Sequence, residues 1–494
     1  MQRLSNASLT TLAHAVERPR YDRAAITTGI VHLGLGAFTR AHQAAYTDDA
    51  LSVGESGWGI LGASLRSPTS RDALAAQDGL YTLAVRDAGG ERLRVIGSLT
   101  GLMVAPENPQ ALIAAMAAPS TRIVSLTVTE KGYCHDPATG TLNEEHPDIL
   151  HDLANLRQPR SAPGFVVAAL ARRRAGGIAP FTVLSCDNLP ANGRTAKHVL
   201  TRFAEFVDPD LGRYLGDTLA CPSTMVDRIV PATTDDDRGR IARSLGLEDA
   251  WPVVTEPFSQ WVIEDQFTQG RPDWGAHGVE LVRDVAPYET MKLRLLNGAH
   301  STLAYLGGLA GYGAVAEAMA EPAMAAFVER LMFSEVIPVL RGPSGANVGA
   351  YARSLIARFH NPALRHRTAQ IAMDGSQKLP QRLLGTARDR LAHGLELPCV
   401  ALGVAGWMRH VTGKDEHGRE VELRDPMAAE LRRRAGAAGP VAERLVPALL
   451  GIEAIFGTDL PANRQFVEAV TASLRNLLAN GALATLRQLA QTGD

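Results

Sequence analysis

The sequence predicts an α/β protein in two parts, a mostly parallel-sheet domain over residues 1–286 followed by a mainly α-helical domain over residues 287–494. Three observations carry this. A chain of 494 residues is too long for one compact core, because domains generally close off before about 250 to 300 residues. The first half alternates short β-branched runs with Ala-rich helical stretches. From about Tyr288 onward Ala, Leu, Arg and Glu recur at helical period instead.

Taken in order, residues 30–33, 59–65, 122–129 and 181–185 read as strands, and residues 110–117 and 164–175 as helices between them. Strands separated by helices imply βαβ units. Residues 288–309 read as one helix that opens the second part. Within that part, residues 342–349 (GPSGANVG) and 412–418 (TGKDEHG) read as loops from their Gly, Pro, Asn and Asp content.

Composition narrows the function classes. Hydrophobic residues at 46% and charged residues at 21% belong to an ordinary globular protein rather than a disordered one. A formal net charge of −2 argues against the basic stripe of a nucleic-acid binder. Cys134, Cys186, Cys221 and Cys399 are dispersed and no CxxC or HExxH spacing occurs, so neither a zinc site nor a disulfide framework is expected. The N-terminus lacks an apolar signal segment and no run of 18 apolar residues follows, which makes a cytoplasmic protein without a membrane partner the expectation.

Three stretches could carry chemistry. In the first, residues 30–42, an apolar strand runs through Gly34 and Gly36 into a helix beginning Ala37-Phe38. This is the arrangement that lets a backbone approach a pyrophosphate, although the third glycine position of the dinucleotide fingerprint is Thr39. A plain tight turn has the same sequence. Arg40 is either a phosphate partner or a solvated helix charge.

After the second strand comes Leu65-Arg66-Ser67-Pro68, with no carboxylate for a ribose 2′-hydroxyl. Arg66 and Arg71 there could accommodate a 2′-phosphate or merely lie at the surface. The sequence therefore leaves NAD against NADP open.

The most informative stretch is Tyr288-Glu289-Thr290-Met291-Lys292-Leu293-Arg294-Leu295-Leu296-Asn297-Gly298-Ala299-His300. At about 100° per residue, Glu289 lies roughly 60°, His300 roughly 80° and Asn297 roughly 140° from Lys292, so the four share a face while Met291, Leu295 and Leu296 pack elsewhere. A lysine on such a face can act as a general base if burial and a neighbouring cation depress its pKa. An amide can hold an alkoxide and an imidazole can orient a hydroxyl. An amphipathic helix with these groups on its solvent side has the same spacing. Gly298 inside the helix costs about 1 kcal/mol against Ala and calls for a close-approach explanation. Elsewhere, Asn188 follows an apolar strand at the edge where α/β enzymes bind ligands, or else serves as a turn residue, and Lys378 and Arg382 flank a turn that could bring them to a site.

The combination of GLGAFTRAHQAAYTDDA, SLTVTEKGYC, SCDNLPANG, MVDRIVPATT, AWPVVTEPFSQWVIED, APYETMKLRLLNGAHS, DGSQKLPQR and EAIFGTDLP resembles, over nearly the whole chain, the long-chain mannitol dehydrogenase family. The resemblance implies an expanded Rossmann-type dinucleotide-binding domain followed by a helical substrate-binding and catalytic domain. It implies a metal-independent secondary-alcohol dehydrogenase that uses NAD. Lys292 matches the family's general acid/base, Asn188 and Asn297 its oxyanion amides, His300 its hydroxyl-binding residue, and Glu289 a carboxylate that moves protons to and from the lysine. Gly34, Gly36, Ala37, Phe38 and Arg40 match its dinucleotide turn. Arg66, Ser67, Thr129, Glu130, Asn188 and Asp227 are the further residues expected near the cofactor.

Arg294, Lys378 and Arg382 join Asn297 and His300 as expected substrate contacts, and two of them are cations where mannitol-specific members are neutral or apolar. Cations suit a carboxylate. The chain thus resembles the fructuronate reductase branch, implying D-mannonate and D-fructuronate as reactants. A polyol dehydrogenase acting on mannitol and fructose is the alternative, and a non-catalytic nucleotide-binding protein a third reading. The expected assembly is a monomer or a dimer.

Overall fold

The computed structural model describes residues 1–136, 139–364 and 366–491 and divides the chain into two compact units, Met1–Ala286 and Pro287–Asp494. No described helix is long and apolar enough to cross a membrane.

In the first unit a five-stranded sheet is built from β1 (Thr28–Leu33), β2 (Gly59–Ser64), β3 (Leu99–Val104), β4 (Ile123–Leu126) and β5 (Thr182–Ser185). All its pairings are parallel, and the spatial order is β3-β2-β1-β4-β5. The order reverses between β1 and β4, the switch point at which such sheets bind ligands beyond the strands' carboxyl ends. Every residue of β4 and β5 is buried, as expected of strands covered on both faces. Helix α1 (Ala37–Ala41) follows β1 and breaks at His42 before α2 (Gln43–Ser52). Helix α3 (Ala162–Ala175) starts at a Ser161 cap whose hydroxyl accepts from the Gly164 N–H.

Two three-stranded sheets enlarge this unit beyond the plain nucleotide-binding core. One contains the antiparallel pair Tyr81–Asp87 and Gly90–Ile96 with Val253–Thr255; the other contains Thr224–Asp227, Gln260–Glu264 and Glu280–Val282.

The second unit has no strand among its described residues. The long helix expected over residues 288–309 is present but interrupted: α4 (Ala286–Lys292) passes through a π turn (Leu293–Asn297) into α5 (Gly298–Leu309). Helix α6 (Val348–Phe359) meets α5 at the His300 ring through Phe359, and helix α7 (Pro398–Val411) packs along α5. Both α5 and α7 are buried almost all round, which is why α7 reads CVALGVAGWM without a polar stripe. A second π turn, Pro380–Leu384, packs against the first.

Candidate active site

A cavity of about 540 Å³ opens at the carboxyl ends of β1, β2 and β4, with Gly34, Gly36, Arg66, Ser67, Thr129 and Arg160 among its lining. The turn after β1 needs its glycines. Gly34 takes φ +94°, and a Cβ there would lie 2.1 Å from the Thr127 carbonyl oxygen. A Cβ at Gly36 would meet only the Gly34 carbonyl, at 3.7 Å, and would fill the cradle through which a pyrophosphate reaches the backbone. The departure at the third glycine position has a local cause. The Thr39 hydroxyl is buried 2.8 Å from His32 Nε2 and 2.8 Å from Thr127 Oγ1, while His32 Nδ1 lies 2.8 Å from Ser125 Oγ. Hydrogen bonds do here what close packing against glycine would otherwise do. Burial lowers the His32 pKa to about 4, so this connector is a neutral imidazole.

Arg40 is neither a solvated charge nor a lining residue of the cavity. It is 4% exposed, donates to the Gly36 carbonyl at 3.2 Å and to the Trp251 carbonyl, and its guanidinium stands 5.2 Å from the Tyr81 ring centroid. It braces the glycine turn from behind. Ala37 and Phe38 begin α1, and Phe38 stacks on His42 with centroids 5.0 Å apart. Arg71 is likewise committed, to Glu107 at 2.7 and 3.0 Å and to Asp72 at 2.5 Å, whereas Arg66 lines the cavity.

The loop after β4 carries Thr129 at φ +62°, an uncommon conformation for a non-glycine residue. It is held by a residue the sequence reading passed over. Asp187 accepts from the N–H groups of Val128 and Thr129, both at 3.0 Å, and from the Tyr133 hydroxyl at 2.8 Å. Burial pushes its carboxyl up to about 6 in spite of these donors. Asn192 fixes the other side of the same loop, donating to the carbonyls of Asp187 at 2.9 Å and Thr224 at 3.0 Å. Of SCDNLPAN, then, Asp187 and Asn192 are the framework, and Asn188 stands exposed between them. Glu130 is exposed in the short helix after Thr129, and Asp227 is buried at the end of the Thr224–Asp227 strand.

In the second unit Lys292, Asn297 and His300 are buried at 6, 9 and 6% exposure, so this face of the helix is not a solvated one. Glu289 is half-buried one turn earlier. The π turn alters their geometry. Its i→i+5 bonding fits an extra residue into the turn, so residues five apart stack almost above one another. Lys292 and Asn297, about 140° apart on a regular α-helix, are thereby drawn onto one side. Gly298 supplies the close approach: a Cβ on it would lie 2.8 Å from the Arg382 carbonyl oxygen, in the facing π turn.

Around His300 the field is positive. Its ring lies 4.6 Å from Phe359 and 5.1 Å from His366, edge to face. Burial holds its pKa well below the ordinary histidine range, and His366, Arg358, Arg382 and Lys292 push the same way. Arg382 donates to Ser301 Oγ at 3.0 Å. His300 Nε2 is buried and makes no hydrogen bond among the described residues; nor does His366 Nδ1. A buried imidazole nitrogen left in this state is one that a ligand hydroxyl can satisfy.

Two of the expected substrate cations have partners within the second unit. Arg294, within the π turn, forms an ion pair with Asp389 and lies over Gly385. The Lys378 amine donates to the carbonyls of Ile371 at 3.3 Å and Met373 at 2.5 Å, tying the DGSQK turn. Beside His300 the structure also places Arg358, from α6, and His366, an imidazole that burial lowers to about 4. No spacing rule marks these, since both lie more than 50 residues from Lys292.

A parallel sheet of order β3-β2-β1-β4-β5 with a glycine turn at its switch point, and a buried lysine, amide and imidazole on one interrupted helix, together define a Rossmann-type oxidoreductase. The family model of the mannitol dehydrogenase Rossmann domain matches residues 28–276, and that of the mannitol dehydrogenase C-terminal domain matches residues 284–478. The chain belongs to the mannitol dehydrogenase family. D-mannonate oxidoreductase of Escherichia coli (strain K12) is 48% identical over 471 residues, covering 94% of this chain and 96% of that protein. Mannitol 2-dehydrogenase of Aspergillus oryzae is 41% identical over 497 residues, 98% of each chain. Among solved structures, the Pseudomonas fluorescens mannitol 2-dehydrogenase ternary complex with NAD and D-mannitol is similar with a TM-score of 0.91 and 41% identity, over 99% of this chain and 100% of that one.

Proposed function

We propose that the protein is a cytoplasmic NAD-dependent dehydrogenase that interconverts a sugar acid and its keto form, D-mannonate and D-fructuronate or a close relative. The observation that carries this is His300 Nε2, buried and without a hydrogen bond among the described residues, in the field of Lys292, Arg358 and Arg382. The open Gly36 cradle at the sheet's switch point fits a dinucleotide. When bound, the nicotinamide supplies the acceptor for the hydride that leaves the alcohol carbon.

Lys292 takes the hydroxyl proton in oxidation and returns it in reduction. Oxidation requires the neutral amine at this buried position. The Asn297 amide, brought to the same side by the π turn, donates to the oxygen as negative charge develops on it. His300, kept neutral, fills its open nitrogen with a second substrate hydroxyl. Glu289 exchanges the proton between Lys292 and solvent. Arg382 is the group we assign to the substrate carboxylate, since a guanidinium meets a planar anion with two parallel hydrogen bonds.

The relationship to D-mannonate oxidoreductase at 48% identity supports the sugar acid over the polyol. The likeness to the mannitol complex, at a TM-score of 0.91, favours the second reading, mannitol oxidised to fructose. Steady-state kcat/KM for D-mannonate and D-mannitol decides between them, and a preference for mannitol would overturn the sugar-acid assignment. Single-turnover oxidation by the Lys292→Ala variant separates an enzyme from a protein that only binds nucleotide.

A further inference from the structure

We infer that the cavity at the ends of β1, β2 and β4 contains a 2′-phosphate subsite centred on Arg66, so that the protein takes NADP(H) as well as NAD(H). This rests on the dinucleotide-dehydrogenase reading above and specifies its cofactor range.

In a Rossmann crossover the residues ending the second strand face the adenosine ribose. A carboxylate there binds the 2′-hydroxyl and repels a 2′-phosphate, whereas an arginine accepts the phosphate. Here β2 ends in Ser64 and continues Leu65-Arg66-Ser67, with no carboxylate. Two carboxylates are held away from it by Arg71, Glu107 in a two-pronged pair and Asp72 at 2.5 Å, and none of these three residues lines the cavity.

The charge left at the cavity wall is positive. Arg66, Lys131 and Arg160 line it against Asp148, three cations to one carboxylate. None of the three makes an ion pair among the described residues, whereas Arg71, five residues after Arg66, is paired with Glu107. Uncommitted guanidinium groups facing a cavity are available to an anion, and a phosphate matches their planar fork.

Position agrees with charge. A second cavity of about 480 Å³ adjoins the first, lined on its far side by Pro106, Pro109, His151 and Phe165. Leu65, Arg66, Asp148 and Arg160 line both. Arg66 and Arg160 thus stand at the junction between a polar cavity that begins at the pyrophosphate turn and one walled by apolar and ring side chains suited to a base. The ribose belongs between those two. The hydroxyls of Ser67, Thr69 and Ser70 line the first cavity beside Arg66 and can donate to phosphate oxygens.

The test is fluorescence titration of the purified full-length chain with NADH and with NADPH, repeated for Arg66→Ala, Arg160→Ala and Arg66→Asp. Competition by 2′,5′-ADP against 5′-ADP gives a readout independent of turnover. Wild type is expected to bind NADPH within tenfold of NADH, with a steeper loss of NADPH affinity as salt rises. Arg66→Ala is expected to weaken NADPH at least about tenfold more than NADH, and Arg66→Asp further still. NADPH binding more than tenfold weaker than NADH in wild type overturns the subsite, as do Arg66 variants that weaken both ligands equally. Binding of neither dinucleotide would remove the dehydrogenase reading itself, a result distinct from binding of NADH alone.

Discussion

The carbonyl oxygen of Arg382 stands 2.8 Å from the point where Gly298 would carry a Cβ. Contacts that short are not made by real Cβ atoms, and the obstacle is backbone, which has no rotamer to yield. Gly298→Ala is therefore expected to push the two π turns apart, at a cost of about 1–3 kcal/mol, and to displace the guanidinium that meets Ser301. Thermal unfolding and kcat/KM measured together check this. Unchanged values for both would show that the approach is not tight.

Replacing Lys292 by Ala removes the proton acceptor without touching the glycine turn of the first unit. The expected result is a loss of roughly 100- to 10,000-fold in single-turnover oxidation, with dinucleotide affinity retained. A variant with wild-type rate would take the lysine out of the chemistry.

The pH dependence of turnover follows from which groups change charge. Oxidation needs the neutral amine, so kcat/KM is expected to rise with pH, and reduction to favour lower pH. His300 is neutral throughout, because its pKa is lowered well below the ordinary value. It should add no limb near pH 6.5. A limb there that vanishes in His300→Asn would contradict the assignment.

Arg382→Leu separates carboxylate binding from general binding. The expected loss in kcat/KM is roughly 10- to 100-fold for D-mannonate, the scale of one charge-assisted hydrogen-bonded contact, and smaller for D-mannitol. Equal losses for both substrates would leave the guanidinium a positioning role through Ser301.

Stability should fall on acidification for a specific reason. His32, His366 and His410 are each lowered by burial to about 4. Unfolded imidazoles take protons near 6.5, so between about pH 6.5 and 4 the unfolded chain binds more protons and the folded state loses ground. The melting temperature of wild type is expected to drop more steeply across this window than that of His32→Gln, which cannot titrate there. Parallel slopes would mean that His32 contributes nothing to the acid limb.

The strands β1, β2, β4 and β5 were legible because each carries Ile, Val or Leu in a short run bordered by helical stretches, and helix α3 because its Ala-rich body repeats at helical period. β3 was not: LTGLMV follows directly on the strand that ends at Ile96, with only Gly97 and Ser98 between them. The antiparallel pair at residues 81–96 was masked by its charges, the paired Arg86 and Glu91 and the exposed Asp87 and Arg92. Among site residues, Lys292, Asn297 and His300 could be grouped because they sit on one helix. Arg358 and His366 could not, since only tertiary folding delivers them. The surroundings of Arg40 and Arg294 were not legible for opposite reasons: a buried arginine bound to carbonyls defies the usual exposure of its type, and a 3.6-residue period does not hold through a π turn.

The turn at Leu293–Asn297 acts as a phase shifter between two helices. One surplus residue there lets the segment bearing Lys292 and the segment bearing His300 be oriented separately, as two cogs keyed to one shaft at chosen angles. Deleting a single residue within it would restore an unbroken α-helix and swing every side chain beyond by about 100° relative to Lys292. The chain could then still build its helical core's opening turn while carrying the imidazole to the wrong bearing, so alignment gaps at this point in related chains would mark a change of chemistry rather than a harmless trim.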